Sequence, residues 1–212
     1  MDLAQLSNAV IEGNARGAKS LTEALIADGV AAKDILDHGL IAAMSVIGGR
    51  FGRGEIYVPE MLLAARAMQT ALAILEPLLV GTEGVSRGTV VLGTVKGDVH
   101  DIGKNLVAIM LKGSGLTVHD LGVDVPAEGF VRAIEEYRPD VVGLSALLTT
   151  TMPEMISVIE ALEKAGLRDQ VKVIVGGAPV TAEFALSIKA DGYGRDAGEA
   201  AERAKQLISA AG

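Results

Sequence analysis

The loop Gly97-Asp98-Val99-His100-Asp101-Ile102-Gly103 gathers a histidine and two carboxylates between two glycines. The glycines permit a sharp turn and a close backbone approach. Asp98, two residues before His100, is placed to accept a hydrogen bond from one ring nitrogen. A carboxylate in that position fixes the tautomer and raises the basicity of the other nitrogen, the usual support behind a metal-bound imidazole. The chain has 3 histidines and no cysteine. Thiolate sites, disulfides and Cys nucleophiles are therefore excluded. His38 and His119 lie on other elements, so a zinc site of several side chains is unavailable. A lone histidine is more often a structural hydrogen-bonder. A single protein ligand does suit a metal that arrives already held by a macrocycle.

Competing readings of the loop fail on counting. A Walker loop needs four residues between its glycines and then Lys-Ser/Thr. Here five separate Gly97 from Gly103, and Lys104 is followed by Asn105. Gly93 and Gly97 are wrongly spaced for a dinucleotide fingerprint. Asp98 and Asp101 imitate part of a phosphoacceptor cluster, but the acidic pair near the start of the first strand is missing.

The elements that must position this loop follow from periodicity. Apolar runs at 89–95, 116–121, 140–145, 171–175 and, weakly, 191–193 alternate with helical segments near 103–113, 127–137, 153–165, 181–189 and 197–209. Such alternation predicts an α/β fold whose parallel sheet is covered on both faces, in the doubly wound, flavodoxin-like order 2-1-3-4-5. Ligands then bind beyond the carboxyl ends of the strands, where strand order reverses. For this order the loops concerned are 96–103 and 145–151.

Before residue 80 the period is helical. Met61, Ala65, Met68, Leu72, Leu75 and Leu79 share one helical face, and Leu36, Leu40, Ala43, Ile47 and Phe51 form a similar stripe. Two shorter segments, 3–12 and 17–28, break near Gly13 and Gly29. These predict an N-terminal four-helix bundle, with a helical hairpin paired to its own copy as the alternative. The glycine-rich stretch 81–88 reads as a linker and hinge, giving domains at 1–87 and 88–212.

Half the residues are hydrophobic but aromatics are only 3%, so the cores must be built from Ala, Val, Ile, Leu and Met. With 19 basic residues against 27 acidic and a net charge of -8, a nucleic-acid partner held through phosphates is not expected. The first residues lack the basic start and apolar run of a signal peptide, and no apolar run is expected to cross a bilayer. A cytoplasmic protein without a membrane partner is the expectation.

The order Asp98-Val99-His100-Asp101-Ile102-Gly103, then Ser145-Ala146-Leu147, then Gly176-Gly177, resembles the cobalamin-binding modules of methionine synthase and of corrinoid methyltransferase proteins. Leu121-Gly122-Val123-Asp124-Val125-Pro126 looks like that family's second strand and loop. Phe51-Gly52 and the stretch from Glu55 to Pro59 resemble its helical cap.

The resemblance implies a cobalamin or related corrinoid, passing between cob(I)alamin and methylcobalamin, with His100 as lower cobalt ligand in place of the cofactor's own base. Gly97, Asp98, Val99, Asp101, Gly103 and Leu147 would belong to the same site. Ser145, with Thr149 nearby, would meet the cofactor's nucleotide tail in a channel between strands 1 and 3, and Gly176 and Gly177 would leave room for it. Ala197 would touch the tail near the corrin rim. Thr151 takes the place of a serine that completes a proton relay with His100 and Asp98. In the cap, Asp37 would contact the corrin, and Phe51 and Val58 would shield the methyl-bearing face.

The implied function is carriage of a methyl group between a substrate-specific methyltransferase and an acceptor methyltransferase, with a corrinoid reactivation protein as a further partner. Methanol, methylamines, betaine and methoxyaromatics all remain open as donors. The alternatives are a cobalamin-dependent mutase small subunit, a cobalamin-based sensor module, and a flavodoxin-like interaction module without cofactor.

Overall fold

A computed structural model describes residues 2–79 and 88–211, which form two compact units, one helical and one α/β. The linker and hinge expected at 81–88, and with it the boundary at 87/88, lies almost wholly outside the described residues.

The helical unit opens with α1 (Leu3–Ile11), whose N-terminus Asp2 caps by accepting from the Ala4 N–H. Asn14 does the same for α2 (Ala15–Ala27), accepting from Gly17. These side chains satisfy amide donors that have no partner inside the helix. A Cβ on Gly13, at φ +69°, would stand 2.6 Å from the Leu63 Cβ, so glycine is required at that turn.

The next helical run departs from expectation. Between α3 (Ala32–Asp34) and α4 (Ala42–Gly52) the chain winds as a π-helix over Ile35–Ile41. Ile35, Leu36, Leu40 and Ile41 of this stretch are all buried.

Helix α5 (Val58–Leu79) buries Met61, Ala64, Ala65, Ala67, Met68, Ala71 and Leu75. Leu72 of the expected stripe is only half-buried, because the inward line runs through Ala71 instead. This helix also corrects the reading that no apolar run could cross a bilayer. Its window Val58–Leu75 is long and apolar enough by length and composition, with mean hydropathy 1.3. Its buried residues form a single stripe with polar Glu60, Arg66 and Gln69 outside it, the pattern of a helix packed on a protein core.

In the α/β unit, β1 (Thr89–Thr94), β2 (Thr117–Asp120), β3 (Val141–Ser145), β4 (Lys172–Gly176) and β5 (Gly192–Gly194) form one parallel sheet in the order 2-1-3-4-5. Strand order and the alternation with α6 (Ile102–Gly113), α7 (Ala127–Tyr137), α8 (Pro153–Lys164), α9 (Ala182–Ser187) and α10 (Ala197–Ala211) agree with the sequence expectation.

The sheet's two faces are filled differently. On one, Val91, Val142 and Val173 pack against Phe130 and Ile134 of α7 and Met155 and Leu162 of α8 in a closed core. On the other, Val90, Leu92, Val141 and Ile174 look across a cavity toward α6 and α10. The register explains the split: Val90 pairs with Val141 and Leu92 with Gly143, two residues apart along each strand and so on one face.

Candidate functional site

Asp98 is the centre of the site and has no solvent exposure. Its Oδ1 accepts from the His100 backbone N–H at 3.1 Å, and from the ring Nδ1 at 2.7 Å. Its Oδ2 accepts from the Leu147 N–H at 2.8 Å, the Leu148 N–H at 3.3 Å and the Thr151 hydroxyl at 2.7 Å. Burial alone would push this carboxyl's pKa up. The hydrogen bonds from Leu147, Thr151 and His100 outweigh it and hold the carboxyl far below the usual carboxylate range. An ionised carboxylate only accepts, so Nδ1 of His100 carries a proton, and in the neutral ring the lone pair is on Nε2. The ring is 45% exposed and lines the mouth of the cavity.

The loop's shape is imposed from two sides. From within, the Thr94 hydroxyl, buried at the end of β1, donates to the His100 carbonyl at 2.9 Å. From beside it, Asp124 adopts φ +52°, donates its N–H to the Asp98 carbonyl at 2.9 Å, and accepts from the Gly97 N–H at 2.7 Å. Gly97 itself needs its φ of +78°, a conformation that glycine supplies without a Cβ penalty. Thr94 N–H to Gly122 O and Val125 N–H to Thr94 O, both 3.0 Å, close the zipper between this loop and the one leaving β2.

Lys104 anchors the first turn of α6. It is 3% exposed, and its ammonium donates to both Asp120 carboxylate oxygens, at 2.6 and 2.7 Å, and to Asn105 Oδ1. The sequence by itself carries no signal that sets Thr94, Asp124 or Lys104 apart. Only the strand order, which sets β1 beside β2, could have pointed to the last two.

The cavity occupies about 540 Å³ and runs from His100 down one face of the sheet. Val99, His100, Asp101, Gly103, Ser145, Leu147, Gly176, Gly177 and Ala197 of the sequence-derived set all line it. Asp98 and Gly97 lie behind the loop. Thr149 does not line the cavity and sits exposed on the turn before Thr151. The channel was expected between strands 1 and 3. It extends across β3, β4 and β5 beneath α10, where Gly176, Gly194, Ala200 and Ala204 line it.

Gly177 is required by the backbone around it. At φ +130°, its Cβ would stand 1.8 Å from the Ala146 carbonyl oxygen. The residue is excluded by backbone rather than by a need for free channel. A Cβ on Gly176 would approach the Gly194 carbonyl at 2.9 Å.

In the helical unit, Asp37 is half-buried on the π-helical turn, with Lys33 at 3.9 Å. Phe51 near the end of α4 and Val58 at the start of α5 are both half-buried.

Among the described residues, no group of three or more His, Cys, Asp or Glu could hold a bare metal ion. One oriented imidazole at the mouth of a long, largely apolar cavity fits a metal whose other ligands come with it. The donor set and the cavity therefore fit a corrinoid.

Comparison with known proteins agrees with this geometry. Two family models, both described as B12 binding domains, match residues 88–205 and 2–76. The chain is 47% identical over 177 residues to the dimethylamine corrinoid protein of Methanosarcina barkeri, covering 83% of each. It is 40% identical over 209 residues to a corrinoid protein of Desulfitobacterium hafniense, covering 97% of each. Among solved structures it resembles a chain of the methanol:cobalamin methyltransferase complex of Methanosarcina barkeri. The TM-score is 0.87 at 31% identity, over 98% of this chain and 79% of that one. A buried Asp-His pair at the mouth of a sheet-side cavity, and relatives matched along nearly the full length, make this chain a member of the B12-binding corrinoid proteins of methyltransferase systems.

Proposed function

We propose that this protein carries a methyl group on the cobalt of a bound corrinoid, loaded by a substrate-specific methyltransferase and unloaded by an acceptor methyltransferase. The observation that carries the reading is the His100 ring, which lines the cavity while its Nδ1 is tethered to a buried carboxylate. When bound, the corrinoid supplies a nucleophilic cobalt that accepts and releases the methyl group.

The chain's own residues set the lower ligand. Asp98 fixes which nitrogen is offered and makes it a stronger donor. Thr151 holds the far oxygen of that carboxylate, so a proton moving onto or off the pair has a hydrogen-bonded route of His100, Asp98 and Thr151. Ser145, Leu147, Gly176, Gly177 and Ala197 then border the tail of the cofactor, and Val99, Asp101 and Gly103 its near side. Thr149, away from the cavity, contributes least.

Residues 88–212 act as the cofactor module and 1–87 as a cap, with Asp37, Phe51 and Val58 contributing the contacts that the resemblance implies. A cytoplasmic location, independence of membranes and a reactivating partner that restores oxidised cofactor complete the proposal.

The test is a reconstitution of the purified chain with methylcobalamin. The absorbance spectrum should show the cofactor's own base displaced and a histidine in its place. In His100→Ala the same cofactor should bind with the spectrum of a cobalt lacking a nitrogenous lower ligand, and circular dichroism should stay native. An unchanged spectrum in that variant would sink the ligand assignment.

A further inference from the structure

The cavity sorts its lining by depth. Its polar residues, His100, Asp101, Lys104, Ser145, Arg195 and Asp196, all belong to the carboxyl ends of strands, the loops leaving them, or the first turn of a helix. Val90 and Val141 pair four residues earlier along their strands than Thr94 and Ser145. At about 3.3 Å per residue that is ~13 Å deeper. There the lining is Val90, Val141, Leu111 and Ala204, each buried and none with a polar side-chain atom, and Ile174, two residues nearer the rim, continues the apolar wall. The strand backbones behind them are engaged in the parallel ladders with their neighbours. Among the described residues, a group reaching this floor finds apolar surface and no hydrogen-bond partner from a lining side chain.

We infer that the floor makes this protein selective for corrinoids by their lower base, favouring an alkyl-substituted aromatic base and rejecting a purine. The inference rests on the proposed function, which places the cofactor's tail in this cavity. A dimethylbenzimidazole presents methyl groups on its outer edge, and burying these is favourable. An adenine presents an exocyclic amine and ring nitrogens there. Taken from water to a wall without partners, those groups lose hydrogen bonds that nothing replaces. Sites of this kind discriminate through the unpaired polar group more than through shape. The charged rim holds the opposite chemistry, so the sugar and phosphate of the tail meet polar side chains while the base does not.

The experiment measures the affinity of the apo-protein, by calorimetry with the absorbance spectrum as second readout, for three corrinoids. These are 5,6-dimethylbenzimidazolyl cobamide, adeninyl cobamide, and a cobinamide that lacks the nucleotide tail. The expected order is dimethylbenzimidazolyl tightest, with adeninyl weaker by about ten- to a hundredfold. Val141→Thr, which sets a hydroxyl at the floor, should narrow that gap. Equal affinity for the two cobamides, or a preference for the adeninyl form, overturns the selectivity while leaving the carrier function standing. Cobinamide binding as tightly as either cobamide overturns it too, since the tail would then gain nothing from the cavity. Failure to bind any of the three overturns the proposed function itself.

Discussion

Five hydrogen bonds converge on the two oxygens of Asp98, and the consequences are testable one donor at a time. Thr151→Val removes the hydroxyl but keeps the shape. It should cost about 1–3 kcal/mol of stability, the typical charge for leaving a buried acceptor short of a donor. Thr151→Ser, which keeps the hydroxyl, should recover most of that loss. Thermal melts of the apo-protein decide between them.

The same carboxylate sets an acid limit. Its folded-state pKa lies below its unfolded value, so its contribution to stability is complete above about pH 4 and is lost as pH falls through the folded value. Urea midpoints should therefore decline below pH 4 in the native sequence. In Asp98→Asn, less stable at neutrality, that decline should be shallower. A parallel decline in both would show that other carboxylates govern acid unfolding.

At the scale of elements, the strands were legible because parallel strands buried on both faces are short apolar runs between turn residues, and helices of period 3.6 separate them. The loop with His100 was legible because its residue types are rare together. The π-helical turn at Ile35–Ile41 was not, since the spacing of Leu36, Leu40, Ala43 and Ile47 suits an ordinary helix equally well. The cavity was also hidden. Val90 and Val91 are neighbours of identical type, yet one faces a void and the other a packed core. Hydrophobicity records burial and cannot distinguish a filled face from a hollow one. Asp124 and Lys104 act across strand neighbours that only the fold brings together.

The tightest element junction is that between the ends of β3 and β4, where Gly177 meets Ala146. Gly177→Ala should exceed about 4 kcal/mol in destabilisation, because a backbone carbonyl cannot move aside as a side-chain tip can. Loss of soluble expression, or a large fall in melting temperature, is the expected result. By contrast, Gly103→Ala meets no atom within 4 Å of the added carbon and should be mild by the same measure.

For the whole molecule, the α/β unit owns a closed core of its own, centred on Phe130, Leu144, Met155 and Leu162. Residues 88–212 expressed alone should therefore unfold in one cooperative transition and retain measurable cobalamin affinity. A fragment without a cooperative transition would show that this unit depends on residues 1–87 for its stability. The hollow face of the sheet carries a further consequence, which concerns supply rather than structure. A chain that leaves this side of its interior empty lacks contacts which a filled core would have, and its occupant provides them. Free corrinoid at a hundred times its dissociation constant adds about 2.7 kcal/mol. In a cell, copies that meet no corrinoid should therefore unfold more often and reach proteases sooner, and immunoblots of cells grown with and without added corrinoid should show the protein's level rising with the supply.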